Sequence, residues 1–203
     1  MMPNEEPDLP LVPSGATVTI DPATATVIVR DGRFQRILSF DEAVLLGFRR
    51  FHSPIRTAIA RALTRIGDGK SWTAIGLACL ASRTPLGTHL GLRIAAATLG
   101  ATALSQTLKR SLTRARPDAS IAGFEPLAEN PDRFSFPSGH TAAAFAVAVA
   151  FAGEPGGLGP LALLLATGIG LSRVYLGAHY PLDVAAGGML GVFAGLAARL
   201  LVS

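Results

Sequence analysis

Residues 172–183 read SRVYLGAHYPLD and lie between two apolar segments, 158–171 and 182–202. His179 and Asp183 are four apart and share a face if one helix runs through both. Pro181 suits the first turn of a helix beginning there, because its missing N–H would have no intrahelical partner anyway. Asp183 would then hold the ring of His179 in one tautomer and raise its basicity, as a carboxylate does for a catalytic His. Arg173 adds a permanent cation with a planar donor fork, a geometry suited to phosphate. A helix end with an N-terminal Asp and a capped His accounts for the same residues. The segment alone does not choose between these readings; its surroundings do.

Those surroundings are apolar. Hydrophobic residues make up 49% of the 203, and 16% are charged; mean hydropathy is +0.42. From Ser135 onward the ionisable side chains are His140, Glu154, Arg173, Tyr175, His179, Tyr180, Asp183 and Arg199. A soluble domain needs more surface charge than this, so the inventory predicts an all-α bundle embedded in lipid. Net charge is +4, with many basic residues between Arg49 and Arg116, which favours anionic lipid headgroups over nucleic acid as the partner. The single Cys79 excludes an intramolecular disulfide and a Cys-based metal cluster. Residues 1–10 are acidic and Pro-rich, the reverse of a cleavable signal peptide, so a later segment is expected to direct insertion.

Read in order, residues 1–38 form a polar N-terminal segment in which the alternating runs TVTI and ATVIVR suggest a small β-hairpin. The membrane domain is expected over 39–203. Ser39 and Glu42 have capping-box spacing and predict a helix at 40–51. Ser53-Pro54 and Gly67 bracket a second, whose stripe Ile55, Ile59, Leu63 and Ile66 stands apart from Arg56, Arg61 and Arg65, as in a helix lying at headgroup level. About five hydrophobic segments follow: 71–82, 86–108, 134–151, 158–171 and 182–202. The first is short for a hydrocarbon core of ~30 Å, and the third spans only if its polar start, SFPSGH, faces a cavity. Gly187, Gly191 and Gly195 recur every four residues in the last, a stripe for close helix packing.

Three polar clusters interrupt this series: KRSLTRARP at 109–117, FPSGHT at 136–141, and the stretch quoted first. If successive spans alternate in direction, all three emerge on one side of the membrane. Together they supply Lys109, Arg116 and Arg173, two histidines, a carboxylate, the Ser138 hydroxyl and the Gly139 amide at a helix start. Three cations and a helix N-terminus fit a phosphate or diphosphate, and such clamps stabilise charge on the equatorial oxygens during phosphoryl transfer. One His can attack phosphorus while the other protonates the leaving oxygen. Cations that merely snorkel at an interface would leave the Pro-Ser-Gly-His turn unexplained.

KxxxxxxRP at 109–117, PSGH at 137–140 and SRxxxxxHxxxD at 172–183 together resemble the three-part signature of the type 2 phosphatidic acid phosphatase superfamily, which also includes vanadium haloperoxidases and bacterial acid phosphatases. The resemblance covers residues 40–202 and matches at every polar position of the signature. It implies a bacterial integral membrane lipid phosphatase in which His179 is the nucleophile, forming a phosphohistidine, Asp183 orients it and His140 is the acid. Lys109, Arg116, Ser138, Gly139, Arg173 and Ser172 would bind the phosphoryl oxygens. No metal or other cofactor is implied, and the chain has no HExxH motif. The expected substrate is a lipid phosphate or an isoprenoid diphosphate. A vanadate-dependent haloperoxidase and a catalytically silent lipid-binding protein are the alternatives. His52 and His89 lie outside the signature and are assigned to structure. The excess of Lys and Arg on the site's side favours a cytoplasmic pocket in the inner membrane.

Overall fold

The computed structural model describes residues 17–21, 26–30, 32–129 and 132–202, and the chain divides into two compact units, Met1–Ala43 and Val44–Ser203. In the first, β1 (Thr17–Asp21) pairs antiparallel with β2 (Thr26–Arg30), with Thr17 opposite Arg30 and Asp21 opposite Thr26. β-Branched residues along both runs suit a pleated ribbon. The connection between the strands and the polar stretch 1–15 lie outside the described residues. Helix α1 (Gly32–Phe48) begins well before the 40–51 expected. Neither Pro nor Gly interrupts 33–46, so the Ser39/Glu42 spacing falls inside the helix instead of starting it.

The second unit is helical. α2 (Pro54–Ile66) opens as its sequence predicts: the Ser53 hydroxyl accepts from the Arg56 amide at 3.3 Å and Pro54 is the first helical residue. Then come α3 (Gly69–Ala81), α4 (Pro85–Leu112), the short α5 (Pro117–Ser120), α6 (Gly139–Ala150), α7 (Leu158–Tyr175) and α8 (Pro181–Leu201). Each of the five hydrophobic segments therefore contains a helix. Two of them, α7 and α8, are long and apolar enough in themselves to cross a membrane. At 1.5 Å per residue α6 is only about 18 Å long. The polar stretch 134–138, expected to start this segment, is not helical.

α6 is the centre of the bundle and packs on α4, α7 and α8. Its alanines 142, 143, 144, 146, 148 and 150 are buried, small enough to let three neighbours approach. The α8 glycine stripe makes the closest approach. A Cβ at Gly187, Gly191 or Gly195 would stand 2.5, 2.4 or 2.5 Å from the carbonyl oxygens of Ser138, Ala142 and Ala146. Only hydrogen fits there, so the stripe locks α8 against α6 along one line.

Polarity is inverted relative to a water-soluble domain. Leu200 is 84% exposed, Leu164 72% and Phe193 68%, whereas Lys109, Arg116, Arg173, His179 and Asp183 are buried. A hydrocarbon solvent accounts for the first group, and a polar site for the second. Ile55 and Ile59 on α2 are likewise exposed, as an interfacial helix requires.

Candidate active site

Backbone hydrogen bonds stitch the three clusters together. The Ser135 amide donates to Arg114 O at 2.9 Å, tying the second cluster to the first. The Ser138 amide donates to Asp183 O at 2.9 Å, tying it to the third. Within the third, the Ala178 and His179 amides donate to the Arg173 carbonyl at 3.0 and 3.3 Å, folding the chain back after α7. Gly177, at φ +72°, makes that reversal, and a Cβ there would lie 2.7 Å from the Phe124 ring.

Lys109, Arg116, Gly139, His140, Arg173 and His179 line one cavity of about 190 Å³. They come from the end of α4, the turn before α5, the start of α6, the end of α7 and the loop before α8. Asp183 stands behind His179. α8 begins only at Pro181, so the two do not share a helix face as the four-residue spacing suggested; the loop turns His179 toward the first turn of α8 instead. His179 Nδ1 is 3.7 Å from Asp183 Oδ2, beyond hydrogen-bond length but within ion-pair range. The carboxylate is held by the Tyr180 amide at 2.9 Å and by Arg114 Nη1 at 2.7 Å.

The other ring nitrogen, Nε2, lies 3.4 Å from Arg116 Nη1. A guanidinium only donates, so Nε2 bears the lone pair and the proton sits on Nδ1, facing Asp183. Burial lowers the His179 pKa to about 4; Asp183 opposes the shift and Arg173 and Arg116 reinforce it. The ring is therefore neutral near pH 7, with its lone pair on the nitrogen facing the cavity.

Ser138 and Ser172 are placed differently. The Ser138 hydroxyl bonds Thr141 Oγ1 at 2.9 Å, while its residue forms the N-cap of α6. The Ser172 hydroxyl donates to Ile169 O at 2.7 Å, and the residue lines a neighbouring apolar groove, not this cavity. His52 and His89 lie outside the cavity too: His52 bonds Tyr175 O at 3.1 Å, and His89 faces Glu154 at 3.4 Å. Arg93 joins Glu154 at 2.5 Å and donates to Ala150 O and Val202 O, where α6 and α8 end.

Two residues of the site escaped the sequence reading. Arg114 pairs with Asp183 and lies 4.1 Å over the Tyr180 ring. Its signal was present, as one more cation in KRSLTRARP, but an Arg between two others looks like surface charge. Asp132 is ion-paired with Lys109 in the cavity wall, and its backbone carbonyl accepts from Arg116 Nε at 2.6 Å. Burial raises the pKa of Asp132, but the Lys109 hydrogen bond and charge, with Arg116, hold it below the usual carboxylate value. Arg116 itself is lowered by burial. No motif marks Asp132; the loop carrying it is ordinary polar sequence.

The PAP2 superfamily model matches residues 90–203, more than half of the chain. The bacitracin transport permease protein BcrC of Bacillus licheniformis is 41% identical over 81 residues, 40% of this chain and 40% of that protein. The decaprenylphosphoryl-5-phosphoribose phosphatase of Mycobacterium tuberculosis is 39% identical over 93 residues, 46% of this chain and 50% of that protein. The chain thus spans half or less of the length of these curated relatives. The PAP2-type phosphatidylglycerolphosphate phosphatase of Bacillus subtilis, a transmembrane protein, superposes with a TM-score of 0.68 at 26% identity, covering 82% of this chain and 86% of the other. With its exposed apolar helices and buried polar centre, this chain is an integral membrane helical bundle, and it belongs to the PAP2 superfamily.

Proposed function

We propose that the protein is a lipid phosphatase that hydrolyses a phosphomonoester or diphosphate through a phosphohistidine. The observation that carries this reading is His179, with Nε2 turned to a cavity it shares with His140, Lys109, Arg116 and Arg173. Phosphate in that cavity is clamped by three cations and meets the amide at the N-terminus of α6. Nε2 attacks phosphorus with its lone pair, and the bond to the leaving oxygen breaks as His140, charged by a proton taken up with the phosphate dianion, delivers that proton to it. The imidazolium formed on His179 keeps its Nδ1 proton toward Asp183, whose negative charge stabilises it. His140, now neutral, takes a proton from water as that water attacks the phosphohistidine and frees His179 and phosphate. An apolar groove of about 400 Å³ between α2 and α7, lined by Phe48, Ile59, Leu63 and Leu171, supports a lipid as the carrier of the phosphate.

Purified protein in detergent with a chelator is expected to release phosphate from lipid phosphates, and His179→Ala to abolish the release. Undiminished release by His179→Ala would end the reading. Haloperoxidase activity with added vanadate and no phosphatase activity would favour the alternative. We further propose an inner-membrane location with the pocket on the cytoplasmic side, supported by the excess of Arg and Lys in 49–70 and at 110. Protease accessibility of the N-terminus in inside-out and right-side-out vesicles tests it.

A further inference from the structure

Helix α2 lies outside the three polar clusters, and the PAP2 superfamily model matches the chain only from residue 90. It nevertheless reaches one of the cations proposed to hold phosphate. Arg173 Nη1 donates to the Thr64 hydroxyl at 2.5 Å, across 109 residues of sequence. Arg173 lines the catalytic cavity and Thr64 does not. Both line a second cavity of about 500 Å³, whose other walls come from α2, Asp68, residues 127–129 and His140. Whatever Thr64 does for phosphate, it does through Arg173.

A threonine inside a helix usually turns its hydroxyl back to the carbonyl four residues earlier. Thr73, Thr98, Thr107 and Thr167 do so. The Thr64 hydroxyl faces α7 instead, and contacts on either side of it pin the two helices. Toward the start of α2, Thr57 Oγ1 bonds Tyr175 Oη at 3.1 Å. At its end, a Cβ on Gly67 would stand 2.6 Å from Cγ2 of the buried Ile169, one turn before Arg173. Glycine therefore lets α2 close on α7 where the Thr64–Arg173 bond forms. The acceptor is also the right kind. Asp132 pairs with Lys109 and so competes with an anion for it, whereas a neutral hydroxyl fixes a guanidinium fork without cancelling its charge. We infer that Thr64 is a positioning residue, which holds the Arg173 fork in the orientation that receives the phosphoryl oxygens. This rests on the reading of Arg173 as a phosphate clamp.

Thr64→Val and Thr64→Ala remove the hydroxyl with and without its bulk, and Thr64→Ser keeps it. Binding of inorganic phosphate to the full chain in detergent, followed by ³¹P NMR, is expected to weaken about tenfold in the first two, the lower end for a hydrogen bond to a charged group. Thr64→Ser is expected to bind as the wild type does. In an Arg173→Ala background, where Lys109 and Arg116 remain, Thr64→Val is expected to cause no further loss, because two residues acting through one interaction are not additive. The kcat/KM for release from dioctanoyl phosphatidate and farnesyl diphosphate is expected to follow the same pattern. Undiminished binding by both hydroxyl-free variants overturns the inference. An equal loss from Thr64→Val with and without Arg173 also overturns it, and makes the bond a structural tie of α2. The expected binding pattern without release from either lipid supports the positioning role and overturns the phosphatase reading. No phosphate binding by the wild type overturns both.

Discussion

Arg114 Nη1 lies 2.7 Å from Asp183 Oδ1, whereas His179 Nδ1 stands 3.7 Å from the other carboxylate oxygen. The buried carboxylate that faces His179, the nucleophile of the proposed mechanism, is thus fixed by a cation from another cluster. Without Arg114, Asp183 would lose this ion pair and be held toward the ring less firmly, by the Tyr180 amide among others. Removing one partner of a buried ion pair costs about 3–5 kcal/mol. Arg114→Ala is accordingly expected to lower the melting temperature and to lower kcat more than it raises KM. Arg114→Lys, which restores the charge without the fork, is expected to recover part of both. Unchanged kcat in a folded Arg114→Ala protein would show that the pair does not position the site.

Asp132 pairs with two of the cations proposed to hold phosphate. Its carboxylate pairs with Lys109 and lies 3.9 Å from Arg116 Nη2. Asp132→Asn removes a negative charge that competes with the anion, so inorganic phosphate is expected to inhibit the variant about fivefold or more at lower concentration, the effect of one nearby charge at a partly exposed site. Weaker inhibition by phosphate would mean that Asp132 supports the cations more than it competes for them.

The buried ring of His179 gives a direct pH signature. Its pKa is lowered to about 4, so the ring stays neutral, with its lone pair available, until pH falls through about 4. The ring ¹⁵N resonance that disappears in His179→Gln is expected to titrate near 4, well below the usual His value; titration near 6.5 would contradict the buried neutral state. The effect on stability has the same sense. The unfolded chain binds more protons between about 6.5 and 4, so this group's contribution is complete above that window and falls as pH is lowered through it.

The α8 glycine stripe can be checked by two substitutions a few residues apart. A Cβ at Gly191 would stand 2.4 Å from Ala142 O, while at Gly188 the nearest atom is 3.8 Å away, on the Phe145 ring. Gly191→Ala is expected to destabilise by about 1–3 kcal/mol, the usual cost of overpacking. Gly188→Ala is expected to be neutral or slightly stabilising, since Ala favours helix. Thermal melts of both variants in the same detergent decide it, and equal behaviour would remove the close-packing argument.

Much of the bundle was legible because its signals are local. Ser53-Pro54 and Pro181 mark helix starts through capping and a missing N–H, and the five apolar segments announce helices by length and composition. The start of α1 was misread because a capping-box spacing inside a helix looks the same as one at its beginning. The segment at 134–151 was read as one span because hydropathy does not reveal that 134–138 spends its backbone bonds on Arg114 and Asp183.

The sequence by itself determined which residue types converge at one end of the bundle, because alternating apolar segments leave the three polar clusters little choice of side. It also determined that α8 carries a face for close helix packing, since a glycine every fourth residue makes one stripe; that α6 fills it was decided by the fold. The tertiary structure alone decided the partners. Asp183 faces His179 from the first turn of α8 but is anchored by Arg114, Lys109 is paired with Asp132, and His140 opens onto a second cavity walled by α2. Arg114 and Asp183, Lys109 and Asp132, and His140 and α2 are each separated by tens of residues, and such a distance depends on how helices pack, which no local pattern of charge or hydropathy encodes.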